Sequence, residues 1–361
     1  MNKHRRLLVS LVAVVAVLLV AGVVAIRLVP NLLHPAQTPK RFNASFLELF
    51  DTVSKIEGYD ADKESFTAFA QQVHDTLLTY HQLYDIYHVK GVEASIKSIN
   101  DNAGIGPVQV DRRVIDLLNM SKELYRLTNG KVNVAFGAVL SIWHTYREAG
   151  IDDPENAKLP PMDALREAAK HTNIDDMIID EEAGTVYLQD PEMSLDVGAV
   201  AKGYATEQEA RLIEESGRTN VLLSIGGNVR AIGTKPDGSL WHVGIENPEK
   251  DAEQKSLFTI DIADLSVVTS GAYNRYYTVD GVIYHHIIDP DTLMPANYFA
   301  SVVIVTKDSG LADGLSTALY CMPYEDGLRL IESLDGTEAC WVMKDGSTEM
   351  TDGFRALIQK E

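Results

Sequence analysis

The chain has 361 residues, 45% of them hydrophobic, and a formal net charge of -20. That length and apolar fraction suffice for one large domain or two smaller ones with a proper core. So acidic a chain carries no basic footprint for nucleic acid, and anionic lipid would repel its body.

At the N-terminus, Lys3, Arg5 and Arg6 precede an uncharged run from Leu7 to Ile26. Twenty residues at about 1.5 Å rise span roughly 30 Å of hydrocarbon. The run is long for the apolar core of a signal peptide and lacks a small-x-small cleavage site. It therefore reads as a single transmembrane helix within residues 1–29, with a cleaved signal as the alternative. Basic residues ahead of it favour an inside N-terminus, so the rest is expected outside the cytoplasm, held at the cell membrane. No cysteine follows the run, which argues against a lipid-modified N-terminus. Pro30, Pro35 and Pro39 mark a stiff tether, and residues 30–44 are assigned as linker ahead of a soluble domain over 45–361.

In the soluble part, Ser65 to Tyr87 shows apolar residues at helical spacing (Phe66, Phe69, Val73, Leu77, Tyr80, Tyr84). Val110–Thr128 repeats the pattern, with Asp111 as cap and Gly130 just past the end. Asp152–Pro161 reads as a polar loop and Met162–His171 as a short helix. Strand-like runs follow at Met177–Asp180, Thr185–Leu188, Asn220–Ile225 and His242–Glu246, interrupted by a helix over Val200–Ser216. Beyond a hairpin turning at Asp280-Gly281 come a strand (Ser301–Thr306), helices over Ala312–Tyr320 and Glu325–Ser333, and a last hairpin around Asp345-Gly346. Helices and strands mix without a βαβ rhythm, so the fold class is α+β, mixed sheets with packed helices. Cys321 and Cys340 sit in apolar surroundings and read as buried free thiols.

The segment Ser194–Gln208, SLDVGAVAKGYATEQ, reads as a strand ending at Asp196, a tight turn at Gly198-Ala199, and a helix start. Unpaired N–H groups and the helix dipole there would seat an anion such as a phosphate. Lys202 lies in the first turn, and Gly203 would let a ligand approach. The segment fits neither G-x-x-x-x-G-K-[ST] nor G-x-G-x-x-G, and an ordinary strand–turn–helix reads as well. Within Leu311–Leu319, LADGLSTAL, Asp313 and Thr317 lie four apart and share a helix face. Asp313 alone could equally be a helix cap. In the hairpin, alternation points His285 and His286 to opposite faces, which argues against a shared zinc.

These two segments, with LLSIGGNVRAIG (Leu222–Gly233) and TSGAYNRYYTVDGVIYHHIIDPDTLMP (Thr269–Pro295), resemble in order and spacing the ApbE-like FAD:protein FMN transferases. NGKVNVAFGAVLSIW (Asn129–Trp143) and FDTV (Phe50–Val53) look like weaker versions of earlier family motifs. The resemblance implies an extracytoplasmic, Mg2+-dependent enzyme that splits FAD, releases AMP and joins FMN to a threonine or serine of a target protein. It places the metal on the carbonyl of Ala199 and the side chains of Asp313 and Thr317, and puts Asp196 and Lys202 against FAD. His286 takes the leading role near the scissile bond, as base or orienting donor; Asp289 would orient it or take the proton itself. Ile287 would pack on the cofactor or offer backbone groups, and Ser270 would reach the pyrophosphate. Phe50, Tyr87, Lys131, Val132 and Asn133 are the weaker candidates for the flavin or adenine side. Arg230 reads as a phosphate contact or a strand-face charge.

Departures from the family pattern include Asn228 for an aspartate after Gly-Gly, Ala272 in Ser-Gly-Asp-Tyr, Leu293 for a glycine, and Asn133 for an aspartate. The family's targets bear Asp-Gly-x-[Ser/Thr]-Gly-Ala-[Ser/Thr], which this chain lacks, so its acceptor is expected to be a separate protein. Two other readings use the same residues: hydrolysis of FAD to FMN and AMP, and a non-catalytic FAD-binding surface protein.

Overall fold

The computed structural model describes residues 38–249, 251–272 and 275–359. The expected membrane helix lies outside them; among the described residues no helix is long and apolar enough to cross a membrane. An eight-stranded sheet forms the frame, and its strands are laid down in chain order. They are β1 (Lys40–Phe46), β2 (Ser54–Asp60), β3 (Val221–Ile225), β4 (Asn228–Ile232), β5 (Ser266–Gly271), β6 (Ser301–Thr306), β7 (Glu338–Val342) and β8 (Thr348–Met350). Every neighbouring pair is antiparallel. The α+β expectation holds, with the helices carried as insertions between sheet neighbours. The linker expected through residue 44 ends sooner, because β1 pairs residue for residue with β2 from Lys40 onward.

Both faces of the sheet are covered, and the pleat sorts the side chains. Along β6, Val302 and Ile304 enter the main core, whereas Val303 and Val305 enter a second cluster on the opposite face. The hairpin Trp241–Glu246/Ser256–Ile262 closes that second face with Trp241, Val243, Ile245, Ile260 and Ile262. The main face carries α1 (Lys63–Leu83), α2 (Arg112–Leu127), α4 (Ala201–Glu215) and α5 (Ser309–Tyr320). Asp62 and Asp111 cap α1 and α2 by accepting from Ser65 N and Arg113 N, the second as expected. The helix α3 (Gly137–Asp152) was not foreseen. With the hairpin Tyr276–Val279/Val282–His285 it builds a third cluster around Trp143, Tyr277 and Leu293. Asp280 and Gly281 both adopt positive φ, as a type I′ turn requires. The strand stops at His285, and a short pairing of Ile288–Asp289 with Met294–Pro295 follows. Both cysteines are buried and free.

One buried ion network ties α4 to the sheet and to α5. Arg230 on β4 is fully buried; Nε meets Glu207 at 3.2 Å and NH2 meets Glu214 at 2.9 Å. Glu207 also accepts from Ser309 N, the first residue of α5, at 3.1 Å. The guanidinium is therefore a structural cation and does not contact a phosphate. Removing one partner of a buried ion pair strands the other and costs about 3–5 kcal/mol. Arg230→Leu should lower unfolding stability by about that much in urea titration; a loss below about 1 kcal/mol would contradict this role.

Candidate active site

Main core and third cluster part along a cleft of about 1040 Å³. Its floor is set where Asp196 N donates to Val134 O at 2.8 Å and Gly137 N donates to Ser194 O at 3.0 Å. One wall is the start of α4, the middle of α5 and the end of β5; the other is α3 and the hairpin with its two histidines. Of the expected site residues, Phe50, Tyr87, Lys131, Val132, Asn133, Asp196, Ala199, Lys202, Ser270, His286, Ile287, Asp313 and Thr317 all line it. Asp289 does not.

The helices α4 and α5 pack closely against each other. A Cβ on Gly203 would fall 2.3 Å from Ser309 O and 2.4 Å from Asp313 Cβ. Gly203 is thus needed for helix contact, not for ligand access as the sequence suggested. Its N–H donates to Asp313 Oδ2 at 2.8 Å, and Lys202 Nζ stands 3.7 Å from the same oxygen. Asp313 is not the helix cap; Asp308 is, accepting from Leu311 N. Burial pushes the Asp313 carboxyl up, while Lys202 and the Gly203 amide pull it down. The N–H groups of Val200 and Ala201 are spent on Val197 O, so the helix start offers fewer open donors than expected. Lys202, whose Nζ also reaches Gly198 O at 3.3 Å, supplies positive charge there instead.

Thr317 and Ser270 meet across α5 and β5, Oγ to Oγ1 at 3.4 Å, with Ser316 Oγ 2.8 Å from Ser270 Oγ. Among the described residues no group of three His, Cys, Asp or Glu side chains is placed to hold a metal. The expected set is of another kind: one carboxylate, one hydroxyl and one carbonyl, all oxygen, on one cleft. That donor chemistry fits a hard ion such as Mg2+.

The two histidines divide their work. His285 donates from Nε2 to Ala296 O at 2.8 Å and accepts from Ile287 N at Nδ1, so both nitrogens are structural. His286 Nδ1 lies 3.2 Å from Arg275 O. A carbonyl only accepts, so Nδ1 carries the proton and Nε2 keeps its lone pair. Burial between the cleft walls, with the Arg275 guanidinium adding to it, pushes the His286 imidazole down to about 3. It is neutral throughout the physiological range.

Several expected contacts are already committed. Asp289 is 2% exposed and binds Lys131 Nζ at 2.7 Å, while its Oδ1 also accepts from Asp291 N. It neither orients His286 nor reaches the cleft to take a proton, because its short pairing with Met294 turns it toward Lys131. Lys131 is shared with Asp291, 2.8 Å away. The Asn133 amide caps Ala135 N and donates to Thr172 O, and Val132 N donates to Thr128 Oγ1. Ile287 spends its N–H on His285 and its carbonyl on Ala296 N, so only its side chain faces a ligand. Asp196 accepts from Gly198 N, and burial pushes its carboxyl up. Phe50 and Asp51 both hold positive φ at the lip, a strain of about 1–3 kcal/mol each, and the Phe50 ring packs edge-on to His81.

The sequence reading missed the α3 face. Leu140, Trp143, His144, Arg147, Glu148 and Ile151 line the cleft at spacings of 3, 4, 7, 8 and 11 from the first, which is a helical stripe. Tyr87 packs against His144 with ring centroids 5.5 Å apart and planes tilted by 36°, and Arg147 NH2 lies 2.6 Å from His144 Nδ1. Among the described lining residues, Lys90, Lys131, Arg147, Lys202 and Arg275 balance Asp51, Asp85, Glu148, Asp196 and Asp313. The cleft is formally neutral in a chain of charge -20, so a multiply anionic ligand is not turned away there.

Two outcomes follow from this geometry. Gly203→Ala should destabilise by about 1–3 kcal/mol, since the clash is with backbone and no rotamer relieves it; an unchanged melting temperature would contradict the close contact. His286 should show no NMR titration between pH 5 and 8, and a midpoint near 6.5 would contradict its desolvation. With the folded value depressed, the unfolded state binds more protons between about 3 and 6.5. Stability is therefore lost as pH falls through that window, less so in His286→Gln.

Comparison with known proteins agrees with the geometry. Residues 50–341 match the model of the ApbE family. The FAD:protein FMN transferase of Treponema pallidum is 34% identical over 278 residues, 73% of this chain and 74% of that protein. One from Klebsiella pneumoniae is 31% identical over 279 residues, 77% and 83% respectively. The crystal structure of the ApbE protein from Thermotoga maritima superposes with a TM-score of 0.77 at 27% identity, covering 89% of this chain and 100% of that one. The chain belongs to the ApbE family.

Proposed function

We propose that the chain is an Mg2+-dependent FAD:protein FMN transferase. It moves FMN from FAD to a threonine or serine hydroxyl of a separate extracytoplasmic protein bearing Asp-Gly-x-[Ser/Thr]-Gly-Ala-[Ser/Thr], and releases AMP. One observation carries the reading: Ala199, Asp313, Thr317, Ser270 and Lys202, drawn from three distant segments, line one cleft with the unprotonated Nε2 side of His286. The names of the relatives support the same activity. The apolar run Leu7–Ile26 supports a membrane anchor and an outward-facing domain.

In the reaction the acceptor oxygen attacks the FMN phosphorus, and the bond from that phosphorus to the bridging oxygen breaks. The hydroxyl proton passes to His286 Nε2, and AMP leaves with the bridging oxygen. Phosphoryl-type transfer passes through a loose transition state, so the nucleophile needs orientation more than early deprotonation. A weakly basic, neutral imidazole suits that task. Held by Ala199, Asp313 and Thr317, Mg2+ would neutralise charge on the diphosphate and the departing AMP. Lys202 adds a fixed cation beside it, and Ser270 offers a hydroxyl at the junction of β5 and α5. Asp196, pushed toward its neutral form by burial, can hydrogen-bond a ribose or adenine edge.

Incubation with FAD, Mg2+ and an acceptor domain carrying the motif should add the mass of FMN to its threonine or serine. Asp313→Asn keeps an acceptor for Gly203 N–H but removes the charge, and should slow transfer about a hundredfold or more. FMN and AMP appearing with no covalent product would favour hydrolysis and contradict the transferase reading.

A further inference from the structure

Asn228 opens β4, paired with Ile225 across the Gly226-Gly227 turn and with Val268 on β5. It is 1% exposed, lies against Asp313 and lines the cleft. Its Nδ2 donates to Ile225 O at 3.3 Å. A backbone carbonyl only accepts, so the NH2 half of the amide is the one turned to Ile225. That fixes the amide's orientation and leaves Oδ1 over. Among the described residues no donor reaches this oxygen. A buried acceptor with no partner is rare in native interiors and weakens the fold that holds it. Lys202 is not the missing donor: its ammonium is turned to Gly198 O and Asp313.

Resting on the metal site of that reading, we propose that Asn228 is a positioning residue for the divalent ion. Its Nδ2 steadies the Asp313 carboxylate, and its Oδ1 accepts a hydrogen bond from a water that the ion carries. Mg2+ keeps several of its waters when bound, and outer partners of this kind orient both ligand and water. An aspartate at this position would supply the acceptor but would set a second carboxylate against Asp313. The amide supplies acceptor and donor together.

The test is a Mn2+ titration of the full chain, with bound and free ion counted by EPR, alongside thermal unfolding without metal. Asn228→Leu removes the acceptor and the donor at similar volume. It should weaken Mn2+ binding tenfold or more, while the metal-free melting temperature stays equal or rises. Asn228→Asp should bind Mn2+ several-fold more tightly and melt lower without metal, as two carboxylates then face each other. Asn228→Leu that melts lower yet keeps wild-type affinity marks a purely structural amide and overturns the proposal. Should that variant not fold, Asn228→Asp decides alone, and affinity equal to or weaker than wild type overturns it. A wild-type chain that takes up no Mn2+ overturns the metal site and this proposal with it. Wild type that binds Mn2+ but transfers no FMN fails the transferase reading only, and the variant affinities still decide here.

Discussion

The contact of Gly203 with α5 is the constraint on which the site depends. With no side chain at 203, α4 and α5 approach until backbone meets backbone, and the Gly203 amide lands on the Asp313 carboxylate. Two segments more than a hundred residues apart are thereby fixed to within a hydrogen bond. The Arg230–Glu207 network braces the same pair of helices one layer deeper, because Glu207 also holds the first amide of α5. What reaches the cleft is a carboxylate whose position is set by packing, as a preorganised site requires. On the proposed reading this is the side chain that grips the ion.

Electrostatics separates the cleft from the rest of the molecule. The molecule is strongly acidic overall, yet the lining is balanced, and desolvation pushes two of its acids, Asp196 and Asp313, up. Desolvation of this kind is costly unless a ligand or ion settles it. Desolvation likewise pushes the His286 imidazole down. Carboxyls raised and a histidine lowered in one cleft are what a site built for a charged, water-excluding ligand presents.

Much of this was legible in the sequence, and the failures have identifiable causes. Helical spacing gave α1 and α2, and Asp280-Gly281 gave the hairpin turn, because those signals are local. The motif residues did converge on one cleft, apart from Asp289, whose local HIIDP sequence gives no hint of Lys131 more than a hundred and fifty residues upstream. Gly203 was misread and the ion network of Arg230 unforeseen for the same reason: their partners are distant in the chain, and type alone cannot tell a packing glycine from a ligand-facing one. The α3 face went unread although its periodicity was present, because the helix starts behind Phe136 with no side chain capping it. β1 was hidden by prolines immediately before it.

The central claim is that a divalent ion sits where α4, α5 and the turn before α4 meet. Anomalous diffraction from crystals grown with Mn2+ and FAD tests it most directly. A single strong peak within bonding distance of the Ala199 carbonyl, Asp313 and Thr317, touching the diphosphate, is the predicted result. A cofactor bound with no peak there, or a peak held by other side chains, would contradict the account.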